Sequence, residues 1–371
     1  MMENPQIRKY LYSKAAHNHV PISGTFELTP CCNMNCKMCY IRMSKKEQES
    51  VDRLRTAGEW LEMGRVCRDE GMLFLLLTGG EPFLRPDFRE IYEGLYRMGL
   101  LITINTNGTM ITKETVEWLK KMPPSKINVT LYGGSEEAYE ELCGYKEGYK
   151  KATEAVLMLK EAGIHVSINV SFTEENAKEQ KKICAFIEQY DLPTRITSYM
   201  FPPVRKREEN CPATERRMAP KKAGYLQWRS EQFRFRDGYW EKRREGVLSG
   251  IPDMRGDCPV DEKMQCMAGR SAFWVTWNWK LRGCGMMTEP SVNVEVSDFK
   301  ERWKDIGEGV GRLRLPKECS VCEYRKVCAV CGAVVQAEGK GNMEEKPEYL
   351  CRLTKEYVRL IRQESEQDEE T

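Results

Sequence analysis

The sequence contains no run of about 18 consecutive apolar side chains, the least that a membrane-spanning helix needs. Its first residues, Met1-Met2-Glu3-Asn4-Pro5-Gln6-Ile7-Arg8, lack the apolar core of an export signal, so a cytoplasmic protein without a membrane span is expected. Net charge is nearly absent: the formal value is +2 with 31% charged residues, which gives no polyanion signature and does not point to nucleic acid. Histidine is scarce, and the pair His17 and His19 stands alone near the terminus, where it reads as structural. Cysteine, by contrast, is abundant. Sixteen cysteines in a reducing compartment cannot serve as a disulfide framework, so metal binding is the better account. Cys67, Cys143 and Cys184 are isolated within helical or loop patterns and read as small core hydrophobes. At 371 residues the chain suits one large domain with a smaller appendage.

Three cysteines share one short loop, Thr29-Pro30-Cys31-Cys32-Asn33-Met34-Asn35-Cys36-Lys37-Met38-Cys39-Tyr40. From Cys32 the spacing is C-x3-C-x2-C, with no fourth ligand at a matching interval; Cys31 allows a competing C-x4-C-x2-C register. A structural zinc site is normally closed by four protein ligands. Three sulfurs leave a coordination position for something else, and in a cubane iron-sulfur cluster that position is a free iron.

Around this loop the pattern alternates. Strands are expected at 25–29, 72–77, 101–105, 127–131, 165–170 and 194–198, the second being a continuous apolar run of the kind covered on both faces. Helical stripes lie between them: Phe88, Ile91, Tyr92 and Leu95, with Asp87 and Glu90 as a capping box; Ala152, Ala155, Val156 and Leu159; and Ile183, Phe186, Ile187 and Tyr190, with Asn176 and Glu179 as a start signal. Such alternation predicts parallel βαβ units with right-handed crossovers and an open or partial barrel. Ligands then bind at the carboxyl ends of the strands, where the cysteine loop lies. The second strand is followed by Thr78-Gly79-Gly80-Glu81-Pro82, the third ends in Asn105-Thr106-Asn107-Gly108, and the fourth ends in Thr130-Leu131-Tyr132-Gly133.

Taken together, C-N-x-x-C-x-x-C-Y and G-G-E-P resemble the radical S-adenosylmethionine (SAM) family, and the match sets the register at Cys32. The resemblance implies a partial (β/α)6 TIM-like barrel over 24–200, a [4Fe-4S] cluster on Cys32, Cys36 and Cys39, and SAM chelated to its open iron. By the same resemblance Met38, Tyr40, Gly79, Gly80, Glu81, Pro82, Asn107 and Thr130 would contact SAM, G-G-E-P taking its amino group. Relatives often carry an acid where Tyr132 stands.

Residues 1–23 form an N-terminal extension, and 201–250 a basic, aromatic segment with Arg205, Lys206, Arg207, Arg216, Arg217, Phe233, Tyr239 and Trp240, and Cys211 unassigned. Interleaved acids favour a solvated linker helix from about Pro220 to Arg244 over a nucleic-acid surface. A second cysteine cluster occupies 251–355: Cys258, Cys266, Cys284, Cys319, Cys322, Cys328, Cys331 and Cys351. Two C-x2-C pairs separated by five residues are close for a zinc ribbon. Their order resembles the SPASM extension of radical SAM enzymes, a small cysteine-rich domain with two auxiliary [4Fe-4S] clusters. That resemblance assigns Cys319, Cys322, Cys328 and Cys351 to one cluster, and Cys266, Cys284 and Cys331 to the other, with Cys258 as its fourth ligand. Two departures stand out: two residues rather than three between Cys328 and Cys331, and Trp279 where relatives have glycine. Residues 356–371 read as a helix end and a frayed acidic tail.

The family implies reductive SAM cleavage to a 5′-deoxyadenosyl radical that takes a hydrogen atom from substrate, with a flavodoxin- or ferredoxin-type electron donor. SPASM enzymes mostly modify ribosomally made peptides or proteins by thioether or carbon–carbon crosslinks. A leader peptide would need a separate recognition protein or the 201–250 segment, since the residues before Gly24 are too few for a winged helix. Oxidation of a sulfatase cysteine or serine to formylglycine is the alternative, weakened by Gly285 where those enzymes place aspartate; small-alcohol oxidation is another. From a different class, an electron carrier or zinc-binding interaction protein would need neither G-G-E-P nor an open three-cysteine loop.

Overall fold

The computed structural model describes residues 5–202, 217–235, 238–250, 264 and 266–369. Cys211, Cys258, Arg205, Lys206, Arg207 and Arg216 lie outside the described residues. The chain runs α1 (Pro5–His17), β1 (Ser23–Glu27), α2 (Lys45–Val51), α3 (Ala57–Asp69), β2 (Phe74–Thr78), α4 (Phe88–Arg97), β3 (Leu101–Thr106), α5 (Lys113–Lys121), β4 (Lys126–Leu131), α6 (Glu136–Cys143), α7 (Gly148–Glu161), β5 (Val166–Ser171), α8 (Gln180–Gln189) and β6 (Thr194–Thr197). It continues through α9 (Pro220–Arg234), α10 (Tyr239–Leu248), β7 (Ala272–Val275), β8 (Lys280–Arg282), β9 (Ser291–Asn293), α11 (Phe299–Arg312), α12 (Lys317–Ser320), α13 (Gly332–Glu338) and α14 (Glu348–Glu369).

All six expected strands are present and pair in parallel. They belong to a larger sheet of order β6-β5-β4-β3-β2-β1-β7-β8-β9. Strand β7, from the cysteine-rich region, pairs parallel with β1, and β8 and β9 follow antiparallel. No sequence pattern signals these three strands, because each is only three or four residues long. Phe26, Leu75, Leu77, Ile102, Ile104, Ile127, Val129, Ile168, Val170, Phe273 and Val275 are buried on one face, beneath the helices. Thr25, Leu76, Thr103, Asn105, Asn128, Thr130, Asn169 and Ser171 alternate with them and are only half-buried on the other. Strand β2 is therefore not covered equally on both faces: its buried Leu75 and Leu77 alternate with half-buried Phe74 and Leu76.

The predicted helical stripes are buried as expected on α4 and α7; on α8, Ile183 and Ile187 are buried while Phe186 and Tyr190 are half-buried and pack on each other. Two start signals differ. Asp87 precedes α4 but makes no cap; its carboxylate receives Arg85 Nε and Nη2 at 2.9 and 2.7 Å, which fixes the turn after G-G-E-P. Asn176 does not cap α8 either: its Oδ1 accepts from Thr173 N, and its Nδ2 donates to the Tyr132 and Ser171 carbonyls, joining the ends of β4 and β5.

The helix expected from Pro220 to Arg244 is two helices, α9 and α10, parted at Gly238, whose φ of 82° suits glycine. The acidic tail is helical to Glu369. Glu364 holds it down by accepting from Trp228 Nε1 at 2.9 Å, Gln232 Nε2 at 3.1 Å and Trp240 Nε1 at 2.9 Å. Glu364→Ala is expected to strand these donors and destabilise the fold by roughly 2–4 kcal/mol. Chemical denaturation reads this as a lowered midpoint, and an unchanged midpoint would show that the three bonds contribute little.

His19 is structural: its ring stacks on Trp303 at 4.5 Å, and Nε2 lies 3.1 Å from the Gly269 carbonyl. Trp279 has φ 53°. An L side chain pays about 1–2 kcal/mol for that conformation; burial of the indole and the Arg55 guanidinium 5.0 Å from its ring offset the cost.

Candidate active site

The cysteine loop leaves β1 and is clamped at both ends by backbone hydrogen bonds. Gly80 N donates to the Thr29 carbonyl at 2.7 Å, and Glu81 N to the Cys31 carbonyl at 3.0 Å. On the far side Asn35 N and Lys37 N donate to the Cys143 and Leu142 carbonyls, both at 2.9 Å, at the end of α6. Gly79 and Gly80 permit this approach, since a Cβ on Gly79 would stand 2.5 Å from the Thr29 carbonyl oxygen.

Within the loop Cys36 and Cys39 lie within electrostatic reach of Cys32. The Cys31 backbone N–H donates to Thr29 Oγ1 at 3.1 Å. Met34 N donates to Cys32 Sγ at 3.4 Å and Arg42 N to Cys39 Sγ at 3.3 Å. Burial pushes the Cys32 thiol up to about 12, and a hydrogen bond with Cys143, followed by burial, pushes Cys36 well above the usual thiol range. Such thiols ionise at neutral pH when a metal replaces the proton. Backbone donors aimed at two sulfurs, and Arg42 Nε buried without a partner, fit an anionic iron-sulfur cluster.

Glu81 is fully buried and accepts from Thr106 Oγ1 at 2.8 and 3.0 Å, Asn107 N at 2.8 Å and Phe83 N at 3.1 Å. Its carboxylate thus braces the end of β3 against the turn held by Pro82. Burial pushes its pKa up to about 7, although these hydrogen bonds pull it down. A carboxyl raised in the folded state contributes stability fully below its unfolded pKa, and loses that contribution as pH rises through its folded pKa. Between about 4.5 and about 7 the change is on the order of 3 kcal/mol. Glu81→Gln is therefore expected to flatten the pH dependence of the metal-free protein. Thermal melts of both proteins from mildly acidic to mildly basic pH read it, and parallel profiles would refute the assignment.

Asn107 is buried and reaches the cysteine loop, with Nδ2 3.7 Å from Cys32 Sγ and 2.9 Å from Asn33 Oδ1. Asn33 donates in turn to Thr109 Oγ1 at 2.9 Å. Met38 and Tyr40 are half-buried on the loop, and Thr130 is half-buried on the polar sheet face. Sequence reasoning missed Thr106, Thr109 and Cys143. The first two flank the Asn107-Gly108 turn, so they were open to notice; nothing in the sequence places the Cys143 carbonyl against the cysteine loop.

The later cysteines form two further groups. Cys319 lies within electrostatic reach of Cys351, Cys328 and Cys322, and burial followed by those charges pushes it up to about 12. Arg325 is the adjacent cation, and its Nε is buried without a partner. Cys266, raised to about 11 mainly by burial, feels Cys331 and Cys284. Met286 N donates to Cys284 Sγ at 3.4 Å, and Thr354 Oγ1 to Cys328 Sγ at 3.6 Å. Among the described residues no three His, Cys, Asp or Glu side chains converge on one ion.

Residues 26–187 match the radical SAM superfamily. The AdoMet-dependent heme synthase of Methanosarcina barkeri is 26% identical over 345 residues, 90% of this chain and 97% of the relative. The subtilosin biosynthesis protein AlbA of Bacillus subtilis is 29% identical over 181 residues, 48% of this chain and 39% of the relative. The solved structure of anSMEcpe with bound AdoMet and the Kp18Cys peptide superposes with a TM-score of 0.68 at 16% identity, covering 91% of this chain and 96% of that one. With its parallel sheet, the cysteine loop on β1 and the G-G-E-P turn clamping that loop, residues 26–187 of this chain are a radical SAM domain.

Proposed function

We propose that the protein reductively cleaves SAM and abstracts a hydrogen atom from a peptide or protein, as an enzyme of ribosomal peptide maturation that forms a crosslink or carries out a related oxidation. The observation that carries the chemistry is the placement of Cys32, Cys36 and Cys39 in one loop locked by backbone bonds to Gly80 and Glu81. A [4Fe-4S] cluster with an open iron supplies, when SAM is bound, the electron that breaks the sulfonium bond to give methionine and the hydrogen-abstracting radical. Gly79 and Gly80 bring backbone close to this loop, and Asn107 orients Cys32. Met38, Tyr40, Pro82 and Thr130 complete the proposed SAM surroundings. Cys319, Cys322, Cys328 and Cys351 would hold one auxiliary cluster, and Cys266, Cys284 and Cys331 another, with Cys258 as proposed fourth ligand.

The polar sheet face supports this substrate class. Thr25, Thr103, Asn105, Asn128, Thr130, Asn169 and Ser171 present hydroxyls and amides, which suit a substrate rich in hydrogen-bonding groups. The whole-length likeness to heme synthases favours a second reading, a tetrapyrrole substrate. Formylglycine formation is less favoured: a side chain at Gly285 would meet the Trp274 ring at 2.9 Å, and that indole donates to buried Glu27 at 3.0 Å. No helix among the described residues is long and apolar enough to cross a membrane. A cytoplasmic setting keeps the thiols reduced, and a flavodoxin- or ferredoxin-type protein is the proposed donor.

The test is anaerobic reconstitution with iron and sulfide, reduction with dithionite, and measurement of 5′-deoxyadenosine. Formation above a SAM-only control is expected, and its absence with full iron loading would overturn the proposal. Cysteine-rich peptides encoded near the gene are expected to raise turnover and lose mass; a rise with an iron tetrapyrrole instead would select the second reading.

A further inference from the structure

We infer that Asn107, Asn33 and Thr109 close a ring of side-chain hydrogen bonds that holds one amide hydrogen of Asn107 on Cys32 Sγ, and that this bond sets the reduction potential of the cluster the loop would hold. This rests on the radical SAM reading above. The direction of every bond in the ring follows from one backbone group. Thr109 N, which can only donate, lies 2.9 Å from one amide atom of Asn107, so that atom is Oδ1 and the other is Nδ2. Nδ2 then donates to Asn33 Oδ1 at 2.9 Å, which leaves Asn33 Nδ2 to donate to Thr109 Oγ1 at 2.9 Å. The Thr109 hydroxyl hydrogen closes the ring on Asn107 Oδ1 at 2.7 Å.

The two bonds from Thr109 occupy both lone pairs of Asn107 Oδ1, and Asn33 takes one of the two amide hydrogens. The second hydrogen falls to Cys32 Sγ, 3.7 Å from Nδ2. With all four of its hydrogen-bonding positions on protein atoms, the amide has no group left for SAM. Its backbone is fixed as well. Asn107 N donates to the fully buried Glu81 at 2.8 Å, and Gly108, at φ 79°, turns the chain so that both Thr109 N and Thr109 Oγ1 reach the Asn107 amide oxygen. The side chain is buried, so water does not compete for the amide. A ligated Cys32 sulfur is a thiolate and can only accept. A donor to a ligand sulfur stabilises the more negative, one-electron-reduced cluster more than the oxidised one, and so raises its potential. In that step one electron enters from a low-potential donor such as dithionite, and the amide keeps both its hydrogens. Asn107 is thus a positioning residue that acts through Cys32, while Asn33 and Thr109 act through Asn107.

The test is an EPR-monitored redox titration of the reconstituted full-length protein with dithionite, run without SAM and following the reduced-cluster signal that changes when SAM is then added. Asn107→Leu, close to the amide in size but with no donor, is expected to keep its iron and show a midpoint shifted to more negative potential. An unchanged midpoint at unchanged iron content would overturn the inference. Should Asn107→Leu load less iron, the Thr109 pair decides: Thr109→Val opens the ring and is expected to shift the midpoint down while Thr109→Ser, which retains the hydroxyl, stays near wild type, and equal midpoints for these two overturn it. A wild-type protein with no SAM-sensitive signal would instead sink the radical SAM reading.

Discussion

Cys32→Ala is expected to abolish 5′-deoxyadenosine formation and to remove about four irons per chain while leaving the remaining iron in place. The loop supplies three thiols, and Cys32 is the one its neighbours hold most deliberately, with Met34 N and Asn107 Nδ2 both directed at its sulfur. Two thiols cannot retain a cubane against loss to solvent, so the effect is on assembly and not only on rate. The later cysteines group elsewhere, Cys319 with Cys322, Cys328 and Cys351, and Cys266 with Cys284 and Cys331. Their iron should survive. Iron analysis beside product analysis checks both statements; retained SAM cleavage would show that the site is misassigned.

The second large effect is expected from a change that touches no ligand. A Cβ at Gly80 would lie 2.6 Å from the Cys31 carbonyl carbon and 2.8 Å from the Pro30 carbonyl oxygen, closer than real Cβ atoms come to either. Both are backbone atoms of the cysteine loop, so no side chain can swing aside to make room. Gly80→Ala must therefore separate the G-G-E-P turn from the loop and break the Gly80 N bond to Thr29 and the Glu81 N bond to Cys31. The expected result is a folded protein whose loop cluster is lost or labile and whose SAM cleavage falls at least a hundredfold. Far-ultraviolet circular dichroism with iron content reads it. Normal loading and turnover would mean that the loop tolerates displacement from the turn.

The sheet was legible because its pattern is local. Buried and half-buried residues alternate along most of β1 to β5, half-buried and exposed ones along β6, and the helices between carry stripes at helical spacing, so short windows of sequence contain the information. The extension of that sheet by β7 to β9 was not legible. Its partner for β7 is β1, nearly 250 residues earlier, and strands of three or four residues have too little period to read. The same holds for the acidic tail. Its composition looks solvated, and what orders it is Glu364 beneath Trp228 and Trp240 of other helices. Capping signals misled at Asp87 and Asn176 because each side chain had a stronger tertiary partner than its own helix: the Arg85 guanidinium for one, two strand-end carbonyls for the other.

For the site, the sequence by itself determined the donor types and their order along the chain, since C-x3-C-x2-C and G-G-E-P are runs of neighbouring residues whose chemistry needs no distant partner. The tertiary structure decided how they are used. It turned Glu81 inward as a buried brace, aimed Asn107 at Cys32, and bonded the end of α6 to the backbone of the cysteine loop. Each of those contacts joins residues 25 to more than 100 positions apart, and only the crossovers of the parallel sheet bring such residues within hydrogen-bond reach.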